Sequence, residues 1–434
     1  MFKLALGLCA IAMVQEASAA SYTIRLTGST AFRSATHKAI VSFLGGDAST
    51  GVPVRIAHTG TAQTASSAQG SSIATYVGTH STDDYTIQVS FSGSVEGIRD
   101  VGALDTTMPY LPASAVPTLV SGLNGYGNAV LKVAADATDN QKAKFTFSDC
   151  LKQNTDYPGA TLNTPDPVGV IPFCWVANKG STLTNMSAQQ ARRLLTSGLV
   201  KKSLLTGVST DLTKYVALTG RNKLSGTRVI TLAETQHGVF SSVLQYKATL
   251  SGTVATSNAQ ITTLELWPAS GTTNPNAGTG ADLDPATGNG GYTSGGSIAT
   301  AMGYQGTSVN ITFWDPDLEA SQTLVSGASV DLVGYVGISD ALTSVTNTGK
   351  ILTWNGSTYA GSANNDNIIY GNYTFWSMEQ LYTRGTLDAG DTAFKSALLT
   401  FFTDQSSAGI GSSAITAVSM KVTRDGDGAL VGTN

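Results

Sequence analysis

The sequence predicts an α/β fold, and two observations carry that expectation. Strand-like runs alternate with helix-like runs from Tyr22 to Phe402. Several strand-like runs end in a short turn of glycine and hydroxyl residues that opens the next helix-like run. Strands joined by helices pair in parallel, so mostly parallel sheets are expected.

At the N-terminus, Lys3 precedes an apolar run from Leu4 to Val14 and the small residues Ala17-Ser18-Ala19. This is the layout of a signal peptide, residues 1–19, cleaved after Ala19. The apolar run, with Cys9 inside it, is too short to span a membrane. Tyr22 to Leu26 alternates as a first strand and Thr27-Gly28-Ser29-Thr30 follows as its turn. Phe32, Ala35, Ala39 and Phe43 then mark one face of a helix stopped at Gly45-Gly46. Val52 to Ala57 and Tyr85 to Phe91 read as strands, separated by a Ser/Thr/Ala/Gly-rich surface hairpin or loop. Ser92-Gly93-Ser94 opens a helix through Val95, Ile98 and Val101. Residues 105–140 are punctuated by proline and glycine. Lys144 to Phe147 is a short strand ending in Ser148-Asp149, and Val168 to Ala177 is a buried strand interrupted by Pro172.

Ser187 and Gln190 form a capping box for a helix that Gly198 stops. Tyr215 to Leu218 is β-prone. After it come Arg221 and Ser225-Gly226-Thr227, then a helix-patterned run with Val229, Leu232, Ala233, Phe240, Val243 and Leu244 on one face. Residues 268–297 read as a solvated Gly-rich loop, in which Asp282 and Asp284 are too irregularly spaced for a calcium site. Ser297 to Met302 starts a helix, Val330 to Ile338 is a strong strand and Asn355 to Asn367 a loop. Ile368 to Trp376 reads as extended, Ala393 to Phe402 as a closing amphipathic helix, and Asp425-Gly426-Asp427-Gly428 as a turn.

Composition excludes several functions. The 434 residues suffice for two or more domains. Charged residues make up 12%, about half the usual ~25%, and serine, threonine, glycine and asparagine take their place. That suits an exported chain, soluble in the periplasm or outside the cell. The formal net charge is −4 and no basic block offers a nucleic-acid footprint. His37, His58, His80 and His237 form no metal spacing, and no G-x-S-x-G elbow occurs, so catalysis is not expected. Cys150 and Cys174 could pair in an oxidising compartment, although large domains seldom need a bridge and two buried thiols are the preferred reading.

The 221–227 stretch organises the rest. Strand, small-residue turn and helix point free backbone N–H groups at an anion. Ser225 and Thr227 add hydroxyls, Gly226 permits close approach, and Arg221 supplies a fork that matches two oxygens. The plain alternative is a helix cap beside a surface arginine.

In order along the chain, Leu26-Thr27-Gly28-Ser29-Thr30-Ala31-Phe32, Ser92-Gly93-Ser94-Val95-Glu96-Gly97, Phe147-Ser148-Asp149 and Arg221 with Ser225-Gly226-Thr227 resemble the motifs of the periplasmic phosphate-binding proteins. The run Leu183 to Leu199 and Val333-Gly334-Tyr335-Val336 match as well. The resemblance implies a type II two-lobe fold, with lobe 1 from residues 20–172 and 368–434 and lobe 2 from residues 173–367. It implies a site for phosphate or a similar tetrahedral oxyanion, with Ser29, Thr30, Ser92 and Ser94 donating from lobe 1. Arg221, Ser225, Gly226 and Thr227 donate from lobe 2, and Asp149 faces Arg221 and the ligand. It implies an ABC-type permease as partner, a monomeric receptor, no cofactor and no metal. The first turn lacks the family's extra glycine, and the long separation of Ser92 from Asp149 marks an insertion. The alternative is an exported surface or matrix protein that keeps the fold without a transport role.

Overall fold

A computed structural model describes residues 19–45, 54–102, 106–117, 129–135, 137–267, 288–315, 318, 320–359, 366–404 and 415–433. The expected signal peptide with Cys9, Gly46 of the first helix stop, and Asp282 and Asp284 lie outside the described residues. Among them no helix is long and apolar enough to cross a membrane.

The expected α/β class holds, built around one large sheet of 12 strands. In chain order these are β1 (Ser21–Gly28), β2 (Arg55–His58), β3 (Ile73–His80), β4 (Asp83–Ser90), β5 (Ala129–Lys132), β6 (Phe145–Ser148) and β7 (Asp166–Ala177). They continue as β8 (Leu199–Lys201), β9 (Tyr215–Thr219), β10 (Val330–Gly337), β11 (Lys350–Ile351) and β12 (Trp376–Thr383). The spatial order is β8-β9-β10-β7-β12-β6-β1-β4-β3-β2-β5, with β11 beside β7. The main helices are α1 (Arg33–Phe43), α2 (Ser94–Gly102), α3 (Ala188–Ser197), α4 (Gly226–Glu234), α5 (Gly295–Ala301), α6 (Ile338–Thr346) and α7 (Ala389–Thr403).

The pairing is mixed rather than mostly parallel. β1 runs parallel to β4 and β6, β2 to β5, and β9 to β10. The tight link between His80 and Asp83 makes β3 and β4 an antiparallel hairpin. β7 is antiparallel to its neighbours β12, β10 and β11, and its two halves lie beside different ones. Asp166 to Pro172 pairs with β12, and Phe173 to Ala177 pairs with β10. Pro172, which has no N–H for a ladder, sits where the neighbour changes.

Burial follows the sequence pattern. Ten successive residues of β7, from Val168, are buried. Trp175, Trp354, Phe375 and Tyr335 pack ring to ring across the middle of the molecule. The Ser187–Gln190 capping box is formed, and Gly198 ends α3 with φ 67°. Cys150 and Cys174 are buried free thiols.

Four expectations need correction. The helix after Gly226 ends at Glu234, since Gln236 and Gly238 take positive φ; Phe240 is 67% exposed rather than on a buried face. Residues 368–376 are not extended: Asp366–Ile369 is a short helix, Gly371 turns the chain, and the strand begins at Trp376. The described end of the Gly-rich loop is not solvated, because Gly288 to Gly291 are buried. Residues 246–328 contain an unforeseen four-stranded sheet made of Tyr246–Ser251, Gln260–Leu266, Val309–Asp315 and Ala320–Ala328.

Gly28 shows how tightly the end of β1 meets β6. Its φ is +108°, and a Cβ would fall 2.0 Å from the Phe147 carbonyl oxygen. Gly28→Ala is therefore expected to destabilise the chain by about 3 kcal/mol or more, as strained backbone and a backbone clash combine. Gly159, whose Cβ would meet nothing within 4 Å, is the control. Urea unfolding of both alanine variants measures the difference.

Candidate functional site

Two helix starts face one another next to β6. α2 begins at Ser94 and α4 at Gly226. The two are brought together by backbone. The Leu224 carbonyl accepts hydrogen bonds from the N–H groups of Val95 (3.1 Å) and Glu96 (3.3 Å). Gly93 makes this approach possible, since a Cβ there would lie 2.5 Å from the same carbonyl oxygen. Gly93 in turn donates its N–H to the Gly28 carbonyl at 3.0 Å.

Asp149, just after β6, fills the space between. Ser94 Oγ donates to Asp149 Oδ1 at 2.6 Å. A Cβ on Gly226 would fall 1.6 Å from that oxygen and 2.7 Å from Ser94 Cβ. Only glycine at 226 lets the carboxylate lie against the first turn of α4. Gly226 and Thr227, as the first helical residues, have N–H groups without intrahelical acceptors. Asp149 Oδ2 accepts nothing from the described residues. Burial pushes the Asp149 carboxyl up to about 6, against the Ser94 hydrogen bond and the Arg221 charge.

Ser225 departs from the helix-cap reading. It occupies the N-cap position without a side-chain cap hydrogen bond, although it is buried. Neither its hydroxyl nor that of Thr227 bonds to a described residue. Arg221 is buried too, but it is not the open fork the sequence led us to expect. Its Nε donates to the Tyr292 carbonyl (3.2 Å) and its Nη2 to the Thr293 carbonyl (2.9 Å). The Gly-rich stretch makes this possible: a Cβ on Gly291 would sit 2.4 Å from the Arg221 backbone. Two of five guanidinium N–H donors are thus engaged and three remain. Arg221 lies within electrostatic reach of Asp149, with no ion pair between them at 4 Å or less among the described residues.

The other expected residues stand further off. Ser29 Oγ donates to Glu379 Oε2 at 3.1 Å, so this hydroxyl faces a buried acid rather than open space. Thr30 makes no hydrogen bond to the described residues and lines a neighbouring cleft. Ser92 is beside Glu96 and does not bond Asp149. The structure therefore gathers Ser94, Asp149, Arg221, Ser225, Gly226 and Thr227, and leaves Ser29, Thr30 and Ser92 around them.

Two acids escaped the sequence reading. Glu379, mid-strand in β12, is fully buried, and its Oε1 meets no donor among the described residues. Burial and the nearby Asp149 charge hold it well above the usual carboxylate range. Asp427, read as a turn residue, is half-buried against the same region. It accepts from the Leu151 N–H (2.8 Å), Asn154 Nδ2 (2.8 Å) and Ser377 Oγ (3.3 Å). No local pattern marks either acid, because each is buried by partners distant in sequence. Among the described residues no group of three histidine, cysteine or acidic side chains could hold a metal ion.

No protein-family profile matches the chain, and no curated protein sequence does either. Among solved structures it is similar to an ABC-type phosphate transport receptor from Vibrio cholerae, at 12% identity, covering 90% of this chain and 99% of that one, with a TM-score of 0.43. It is also similar to a phosphate-binding protein from Stenotrophomonas maltophilia, at 12% identity, covering 91% and 90% with a TM-score of 0.40. PstS from Borrelia burgdorferi is a third, at 10% identity, covering 87% and 92% with a TM-score of 0.35. Overlaps this loose assign no ligand and no role.

Proposed function

We propose that the chain is a solute-binding receptor that captures phosphate or a similar tetrahedral oxyanion between two lobes. The observation that carries this reading is the buried contact of Ser94, Asp149 and Gly226 at the start of α4, beside Arg221. The proposed lobes are residues 20–172 with 368–434, and residues 173–367, joined where β7 changes its neighbour. Exported location, monomeric state and an ABC-type permease partner belong to the same proposal.

The chemistry supports an anion that still carries a proton. Neutral donors plus one guanidinium can hold a dehydrated oxyanion without a large opposing charge. An ionised Asp149 offers Oδ2 only as an acceptor. A protonated phosphate donates to it, whereas sulfate leaves two acceptors facing each other. A buried unpaired polar group costs about 1–3 kcal/mol, enough to discriminate between them by ~10-fold or more.

Calorimetric titration with phosphate should show micromolar or tighter binding, about −8 kcal/mol. Absence of heat with phosphate, arsenate and sulfate alike would rule the receptor out. Arg221→Lys keeps a charge but loses the planar fork. It should weaken phosphate binding at least tenfold and lower the melting temperature as well, since the carbonyls of Tyr292 and Thr293 lose their donors.

A pH series tests Asp149 directly. Its carboxyl is raised from an ordinary 3.8 to about 6. The folded chain therefore holds a proton in this window that the unfolded chain releases. Its contribution to stability is present at low pH and is lost as pH rises through about 6. A neutral Asp149 can also donate to sulfate. Phosphate-over-sulfate preference should thus be large at pH 8 and shrink by about tenfold at pH 5. Asp149→Asn should flatten both trends, read by calorimetry and by urea unfolding at the two pH values.

A further inference from the structure

Beside the Asp149 contact, a cleft of about 190 Å³ opens between the start of α1 and the start of α6. Thr30, Arg33, Gln69, Asp340 and Thr343 are among the residues that line it. Arg33 and Asp340 are both half-buried, yet no ion pair joins them at 4 Å or less. Arg33 Nη1 donates to Ser72 Oγ at 3.0 Å, and the rest of its guanidinium is unused by the described residues. The Asp340 carboxylate accepts no hydrogen bond from any described residue. It is held in place by packing: a Cβ on Gly295, the first residue of α5, would fall 2.1 Å from Asp340 Oδ2. Burial raises the Asp340 carboxyl, while Arg33 and Arg221 act in the opposite direction. Thr30 lies in the turn after β1, and Asp340 lies within electrostatic reach of Arg221, so the cleft adjoins the proposed oxyanion site.

A cleft with two opposite charges, neither neutralised by contact, is selective. A fully deprotonated oxyanion gains nothing from Asp340 and is repelled by it. A ligand carboxylate is opposed by Asp340, and a ligand ammonium by Arg33. A hydroxyl satisfies both, accepting from the guanidinium and donating to the carboxylate. The remaining polar lining, the Gln69 amide and the Thr30 and Thr343 hydroxyls, suits the same kind of group.

We propose that this cleft is a second subsite, and that the ligand is a phosphate monoester of a small polyol, with its hydroxyls placed between Arg33 and Asp340. The proposal rests on the reading of the Asp149–Gly226 contact as an oxyanion site and names the ligand class for it. The phosphoryl group occupies the start of α4, and the alcohol portion extends past Thr30 into the cleft. No bond is made or broken.

The test is calorimetric titration of the full chain with inorganic phosphate and, separately, with glycerol 3-phosphate. The wild type is expected to bind glycerol 3-phosphate at least tenfold more tightly than phosphate. Asp340→Asn, which keeps the shape of the side chain, should reduce that ratio to threefold or less, and Arg33→Gln should do so independently. Phosphate binding as tight as or tighter than glycerol 3-phosphate binding in the wild type overturns the second subsite and leaves the oxyanion reading standing. A ratio unchanged in both variants overturns it too. Heat with neither anion overturns the subsite and the receptor reading together.

Discussion

The contact of the Asp149 carboxylate with Gly226 is what the rest of the site depends on. It needs a residue without a side chain at 226 and a serine at 94 to hold one carboxylate oxygen. It also needs α2 and α4 to meet start to start, an arrangement that concentrates two positive helix ends in one place. The protein relieves that crowding with its own groups. The Leu224 carbonyl receives the first N–H groups of α2, and the Asp149 carboxylate lies at the first turn of α4. An incoming anion would therefore meet a site already organised around negative charge, and would have to share the α4 donors with Asp149 or displace it from them.

The acids behind the site fit this picture. Asp149, Glu379 and Asp427 share one buried neighbourhood, and burial raises all three. Like charges so placed cannot all ionise. Glu379, fully buried with one oxygen unpartnered, is the member that burial holds well above the usual carboxylate range. Asp427 is better served, with a backbone N–H, an amide and a hydroxyl donating to it. A neutral Glu379 lets Ser29 approach without adding a charge that would oppose an anion. An acid-rich surrounding is thus compatible with anion capture, because the neutral form of Glu379 adds a hydrogen-bonding group rather than a charge.

Much of this was legible in the sequence because the signals were local. The Ser187–Gln190 box, the Gly198 stop and the run Ser225-Gly226-Thr227 each act over a few residues, and each appears in the structure where expected. The spacing of Arg221 from Ser225 also placed a guanidinium beside the helix start. Its partners were not legible, because the carbonyls of Tyr292 and Thr293 come from about 70 residues away, inside the Gly-rich segment. The α4 helix was drawn too long for a related reason. Val243 is buried at 1% exposure and fits a helical period, but it reaches the core after a turn, not along the helix. The sheet within residues 246–328 was missed although Tyr246, Ala248 and Leu250, and Val309, Ile311 and Phe313, alternate with other residues, because it joins strands from either side of the Gly-rich segment.

The far end of α4 adds a constraint on motion. The helix spans Gly226 to Glu234, about 13 Å at ~1.5 Å per residue. Its first residue touches Asp149 and its last is anchored elsewhere. Glu234 Oε2 pairs with Arg424 at 3.2 Å, and Glu234 Oε1 accepts from Trp354 Nε1 at 3.1 Å. Arg424 also donates to the carbonyls of Trp376 and Thr374, next to the point where β7 changes neighbours. Within the proposed two-lobe division, Glu234 and Arg424 belong to opposite lobes. The pair is buried, so separating it would strand a charge, at a cost of about 3–5 kcal/mol. The two Leu224 hydrogen bonds at the other end contribute only about 0.5–1.5 kcal/mol each. Within that division, a motion that swings the start of α4 away from α2 while its end stays pinned is the less costly one, and it is the motion that would expose the proposed oxyanion donors.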